Sequence, residues 1–81
     1  MPVVFRYRGV RFFFYSNEGN PREPVHVHAL RDDLEAKFWV IPEVGVAYND
    51  GYSARELREF LGVVEGNKNL IVRVWNEHFG T

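Results

Sequence analysis

The stretch Val25-His26-Val27-His28-Ala29-Leu30-Arg31-Asp32-Asp33-Leu34-Glu35-Ala36-Lys37-Phe38-Trp39-Val40-Ile41 decides the fold. In an extended chain successive side chains point to opposite faces. Val25, Val27 and Ala29 then share one face, and His26 and His28 the other. Beyond Asp32-Asp33 the alternation resumes, with Leu34, Ala36, Phe38 and Val40 on one side and Glu35, Lys37, Trp39 and Ile41 on the opposite side. Two such runs around a polar pair predict a hairpin. With Asp32-Asp33 as a two-residue turn, His28 pairs with Lys37 and His26 with Trp39. One residue more or fewer in that turn would exchange the two faces.

Working outward toward the N-terminus, Val3-Val4-Phe5-Arg6-Tyr7 and Val10-Arg11-Phe12-Phe13-Phe14-Tyr15 are rich in β-branched and aromatic residues and are separated only by Arg8-Gly9. A second hairpin follows, with Arg6 opposite Arg11 and Phe5 opposite Phe12. Val3, Phe5, Phe12 and Phe14 are expected on the core face, with Phe13 and Tyr15 beside Arg11 on the other. Ser16 to Glu23, with Gly19, Asn20 and Pro21, reads as a loop.

Toward the C-terminus, Val44, Val46 and Tyr48 predict a short edge strand before the Asn49-Asp50-Gly51 turn. Ser53-Ala54-Arg55-Glu56 is a capping box, in which Ser and Glu each satisfy the other's backbone amide. Leu57, Phe60, Leu61 and Val64 then recur at helical spacing. After Gly66-Asn67, a second helix carries Leu70, Ile71, Val74, Trp75 and His78. The expected fold is α+β: an antiparallel meander of four to five strands within 3–48, then a two-helix hairpin within 53–79 packed on one face. One domain over residues 1–81 is expected, with its other sheet face left open, as antiparallel sheets tolerate.

Composition narrows the function. The 81 residues include no cysteine, so disulfides and thiolate metal sites are excluded as sources of stability. Apolar burial must supply it, from 46% hydrophobic residues including seven Phe, four Tyr and two Trp. A chain this short gains from oligomerisation as well. Ten basic and eleven acidic residues give a net charge of −1, which argues against nucleic acid as the main ligand. No apolar run is long enough to span a bilayer, and Met1-Pro2-Val3-Val4-Phe5-Arg6 lacks the order of a signal peptide. A cytoplasmic location is expected, with no membrane association.

Three constellations invite a function. His26 and His28, side by side on a strand, are a candidate pair of ligands for a divalent metal, with Glu18, Glu35 or His78 as third donor. The alternative is a pair of histidines hydrogen-bonded to neighbours or water on a half-exposed face, and this is the favoured reading. Arg6, Arg8 and Arg11, with Arg22 and Arg31 nearby, form a candidate basic patch, though arginines also protect sheet edges. Phe13 and Tyr15, joined by Trp39, form either a candidate apolar partner surface or the second side of a sheet covered by the chain's own loops, two readings of equal weight. Arg55/Glu59 and Arg73/Glu77 stand at helical i,i+4 spacing. No nucleophile motif or phosphate-binding glycine loop is present, so no catalytic residue is assigned.

Phe12 to Glu18, Pro24 to His28, Glu35 to Trp39, Ser53 to Leu57 and Trp75 to Phe79, taken in order, resemble a bacterial family known as domain of unknown function 4160. The resemblance implies a small protein encoded beside another short gene, an arrangement like a toxin–antitoxin module. It carries over no catalytic residue. Phe13, Tyr15, Glu18, His26, His28, Glu35, Lys37 and Trp39 are the candidate binding face. The reading that follows is a protein-interaction module with no required cofactor, its enzymatic activity left open. Its partner is the neighbouring gene's product or a second copy of the chain. The alternative is a metal-assisted hydrolase or nuclease-like toxin using His26 and His28.

Overall fold

A computed structural model of the protein describes residues 3–16 and 23–80. Five strands form one antiparallel sheet in sequential order: β1 (Val3–Tyr7), β2 (Val10–Phe13), β3 (His26–Arg31), β4 (Leu34–Trp39) and β5 (Gly45–Asp50). Helices α1 (Ala54–Gly66) and α2 (Lys68–Phe79) follow, separated by Asn67 alone.

The turns set the register. Arg8 and Gly9 both have positive φ, as a type I′ hairpin turn requires. Arg6 therefore stands opposite Arg11 and Phe5 opposite Phe12. Asp32 takes the left-handed position in the second turn, a conformation that Asp tolerates better than most residues. His28 then pairs with Lys37 and His26 with Trp39, as the alternation predicts.

Both edge strands contain one extra residue. In β1, Val3 pairs with Phe13 and Phe5 with Phe12, so Val4 has no partner. In β5, Tyr48 pairs with Lys37 and Val46 with Phe38, so Ala47 has none. A bulge bends an edge strand and blunts it against pairing with another chain. It also resets which side chains share a face. Val3 turns to the Phe13 side rather than joining Phe5, contrary to the simple alternation. Tyr48 likewise joins Lys37 on the face opposite Val46.

The helices cover one face. Val10, Phe12, Phe14, Val27, Ala29, Ala36, Phe38 and Val40 from the sheet region meet Phe60, Val64, Ile71 and Trp75 from the helices in one buried cluster. The Phe60 ring lies edge-on to Phe12, Phe38 and Tyr52, at centroid distances of 5.8, 6.5 and 5.0 Å. Trp75 meets Phe14 edge-on at 5.0 Å. Such ring pairs contribute about 0.5–1.5 kcal/mol each beyond their buried area.

The start of α1 is fixed by the capping box. The Glu56 amide donates to Ser53 Oγ at 3.1 Å, and the Ser53 amide donates to Glu56 Oε1 at 3.1 Å. The other Glu56 oxygen accepts from Arg31 at 2.6 Å, tying the helix to the end of β3. Glu59 accepts the Tyr7 hydroxyl at 2.5 Å and lies 3.7 Å from Arg8. These links to the first hairpin replace the Arg55/Glu59 pair that helical spacing suggested.

Candidate functional site

The alternation that builds the core sends a second set of side chains to the opposite face. Register places Phe13, His28, Lys37 and Tyr48 in one row across β2, β3, β4 and β5. His26 and Trp39 occupy the next row. Tyr15 follows β2, and Glu35 begins the face on β4. Glu18 lies outside the described residues.

This face is closed at its centre rather than bare. Phe13 and His26 are 0% exposed, and His28 is 3% exposed. The reason is local. The His28 ring stacks on Phe13 at 5.5 Å, and the Tyr15 ring packs edge-on against both, at 5.0 Å from Phe13 and 4.6 Å from His28. Tyr15, Lys37 and Trp39 are half-buried, and Tyr48 is exposed. The expected apolar patch is therefore a buried aromatic–imidazole centre with a partly exposed rim.

Glu35 gathers that rim. Its Oε1 accepts the Tyr15 hydroxyl at 3.0 Å, and its Oε2 accepts the Tyr48 hydroxyl at 2.5 Å. His28 Nδ1 lies 3.4 Å from Glu35 Oε2 and 3.4 Å from the Tyr48 oxygen. A carboxylate offers only acceptors, and Tyr48 gives its single hydroxyl proton to it. The two oxygens that face Nδ1 thus assign the ring proton of His28 to that nitrogen. Sequence reasoning missed Tyr48 as a site residue, because only the bulge at Ala47 places it here.

His26 is held separately. Its Nδ1 is 2.9 Å from the Pro24 carbonyl oxygen, which assigns the proton there as well. Its ring meets His28, Trp39 and the α2 residue Trp75 at 5.3, 5.6 and 5.0 Å. β2 pairs with β3 only as far as Phe13–His28, so His26 has no pairing partner on β2. Lys37 donates to Glu23 at 3.0 Å, and its ammonium sits 4.4 Å from the Trp39 ring centroid. Glu23 Oε1 is also 4.0 Å from His26 Nδ1.

Both imidazoles thus have Nδ1 held by oxygen acceptors, a feature that metal-bound histidines share. The rest of a ligand set does not assemble. Among the described residues, no group of three or more His, Cys, Asp or Glu is placed to hold a metal ion. Of the third donors considered, Glu35 is engaged by the two tyrosines, His78 is exposed on α2, and Glu18 is outside the described residues.

The expected basic patch is divided. Arg8 and Arg31 turn to Glu59 and Glu56 on α1, whereas the register puts Arg6 and Arg11 on the opposite face. Arg22 is outside the described residues. The hydrogen bond to Glu59 raises the Tyr7 phenol above its ordinary pKa, and the Arg31 guanidinium lowers the Glu56 carboxyl. Burial raises Tyr52, against the pull of Arg31. Among the described residues, no helix is long and apolar enough to cross a membrane.

No curated protein and no solved structure matches this chain. Residues 9–76 match one family, and they take in every buried residue of the helix-covered core, the Glu35 cluster, and His26 and His28. The chain belongs to that family, described as Domain of unknown function (DUF4160).

Proposed function

We propose that this protein is a binding module that docks a protein partner on the sheet face opposite its helices. The contact is made through the rim of Tyr15, Lys37, Trp39 and Tyr48, over the buried Phe13, His26 and His28. The partner is the product of a neighbouring gene, in a two-gene arrangement of the toxin–antitoxin kind, or a second copy of the chain.

The observation that carries this reading is that the two charges of this rim, Glu35 and Lys37, are already paired within the chain. Glu35 is satisfied by two tyrosine hydroxyls and approached by His28, while Lys37 is satisfied by Glu23 and covered by Trp39. Burying an unpaired charge at an interface is costly, whereas a charge already paired within its own chain arrives with its partner. What the rim then offers is aromatic surface, the material of interface hot spots.

The test is the affinity of the chain for the product of the adjacent reading frame, with both proteins purified. Trp39→Ala is expected to raise Kd at least about fivefold, and Lys68→Ala and Arg73→Ala to leave it within about twofold. The reverse pattern overturns the proposal.

A further inference from the structure

One cross-strand row of the binding face reads Arg6, Arg11, Leu30, Glu35, Asp50, one residue from each strand in turn. Arg6 pairs with Arg11, Arg11 with Leu30, Leu30 with Glu35, and Glu35 with Asp50. Four inter-strand spacings make it about 19 Å long. Its two ends are pairs of like charge set directly opposite each other, an arrangement that destabilises an isolated sheet. Arg6 and Asp50 are exposed at the two ends, and Arg11, Leu30 and Glu35 are half-buried between them. Among the described residues, none of Arg6, Arg11 and Asp50 takes part in an ion pair within the chain.

The row is complementary to itself. A two-fold axis lying along β3 between two facing sheets carries the arginine end of one copy onto the acidic end of the other. Leu30 then meets Leu30 of the second copy, Arg11 meets its Glu35, and Arg6 meets its Asp50. The neighbouring row has an exposed apolar or aromatic side chain at each end. It runs from Val3 through Phe13, His28 and Lys37 to Tyr48, with Val3 38% and Tyr48 44% exposed at its ends. The same axis sets Val3 against Tyr48 of the second copy. Face-to-face sheets pack with their strands nearly aligned, which keeps matched rows together. The bulges at Val4 and Ala47 blunt both edges against strand-to-strand association.

We infer that the partner of this face is a second copy of the chain, in a two-fold dimer whose arginine pair and acidic pair neutralise each other across the interface. An isologous contact requires this self-complementarity, in which residue i meets j and j meets i. The inference rests on the binding-face reading and commits it to one occupant.

Sedimentation equilibrium of the full chain, at low and high salt, tests the dimer. The wild-type chain is expected to dimerise and to weaken as salt screens the charges. Arg6→Glu and Asp50→Lys, each repeated twice by the symmetry, are each expected to raise the dimer dissociation constant at least about tenfold. An equimolar mixture of these two variants is expected to recover association, because each now supplies what the other lacks. Should either reversal unfold the chain, Arg6→Gln and Asp50→Asn make the same comparison with a smaller effect. A chain that stays monomeric into the high-micromolar range overturns the inference. So does a dimer indifferent to both variants, or a mixture that stays monomeric. A monomer that still binds the adjacent gene's product through Trp39 overturns the dimer alone. Partner contacts on the helices overturn the binding face itself.

Discussion

The Tyr48 hydroxyl on β5 donates to Glu35 on β4 at 2.5 Å, and the other oxygen of the same carboxylate accepts from Tyr15 at 3.0 Å. One side chain thereby joins the edge strand to the segment that leaves β2, across the intervening β3. His28 lies beneath this bridge, in contact with both tyrosine rings. Glu35 therefore ties the two tyrosines of the rim together, while Glu23 holds Lys37 beside Trp39.

Removing that acceptor is expected to cost stability as well as shape. Glu35→Ala leaves two tyrosine hydroxyls and a buried imidazole without their common partner, a loss of about 1–3 kcal/mol. Glu35→Gln keeps one carbonyl oxygen and is expected to lose less. Urea unfolding followed by far-ultraviolet circular dichroism checks the order of the two variants.

The helix layer provides a second comparison. Phe60 is buried against Phe12, Phe38 and Tyr52, so Phe60→Ala is expected to cost about 3–5 kcal/mol. Ser53→Ala removes only the cap and is expected to cost about 0.5–2 kcal/mol. Equal and small losses in thermal unfolding would contradict the packing of α1 on the sheet.

The Arg31–Glu56 link predicts a pH dependence with a definite sign. Arg31 holds the Glu56 carboxyl below its ordinary pKa, so the folded chain binds a proton there less readily than the unfolded chain. The contribution is fully present above the ordinary glutamate pKa of about 4.3 and is lost as pH falls through the lower folded value. Unfolding measured from pH 7 to pH 2 should therefore show a shallower acid decline for Glu56→Gln than for the parent.

His26 and His28 separate the binding module from a metal enzyme. A binding face needs no metal, so added Zn²⁺ is expected to leave the melting temperature unchanged. A metal bound by the folded chain would raise it by mass action, and the His26→Ala/His28→Ala double variant would abolish that rise. Differential scanning calorimetry with and without Zn²⁺ decides between them.

The strand register was legible in the sequence because two-residue turns leave little freedom: Arg8-Gly9 and Asp32-Asp33 place Arg6 against Arg11 and His28 against Lys37. The capping box at Ser53 was legible for the same local reason. The bulges were not. Val3-Val4-Phe5 is apolar throughout, and Ala47 is small and neutral, so an extra residue leaves no mark on the alternation. Missing the second bulge hid Tyr48, and with it the bridge to Glu35. Glu59 shows the other limit. Helical spacing offered Arg55, but Tyr7 and Arg8 reach Glu59 from the first hairpin, a pairing that only the tertiary fold creates.

Hydroxyl-radical footprinting of the associated protein reads the docking face side chain by side chain. The chain is compared dilute, concentrated, and mixed with the product of the adjacent reading frame, and oxidation of aromatic and imidazole groups is mapped by mass spectrometry. Docking on the face opposite the helices predicts protection of Trp39 and Tyr48 on association, with His78 on α2 as reactive as in the dilute chain. Protection of His78, with Trp39 and Tyr48 unchanged, would place the contact on the helices and contradict the binding face.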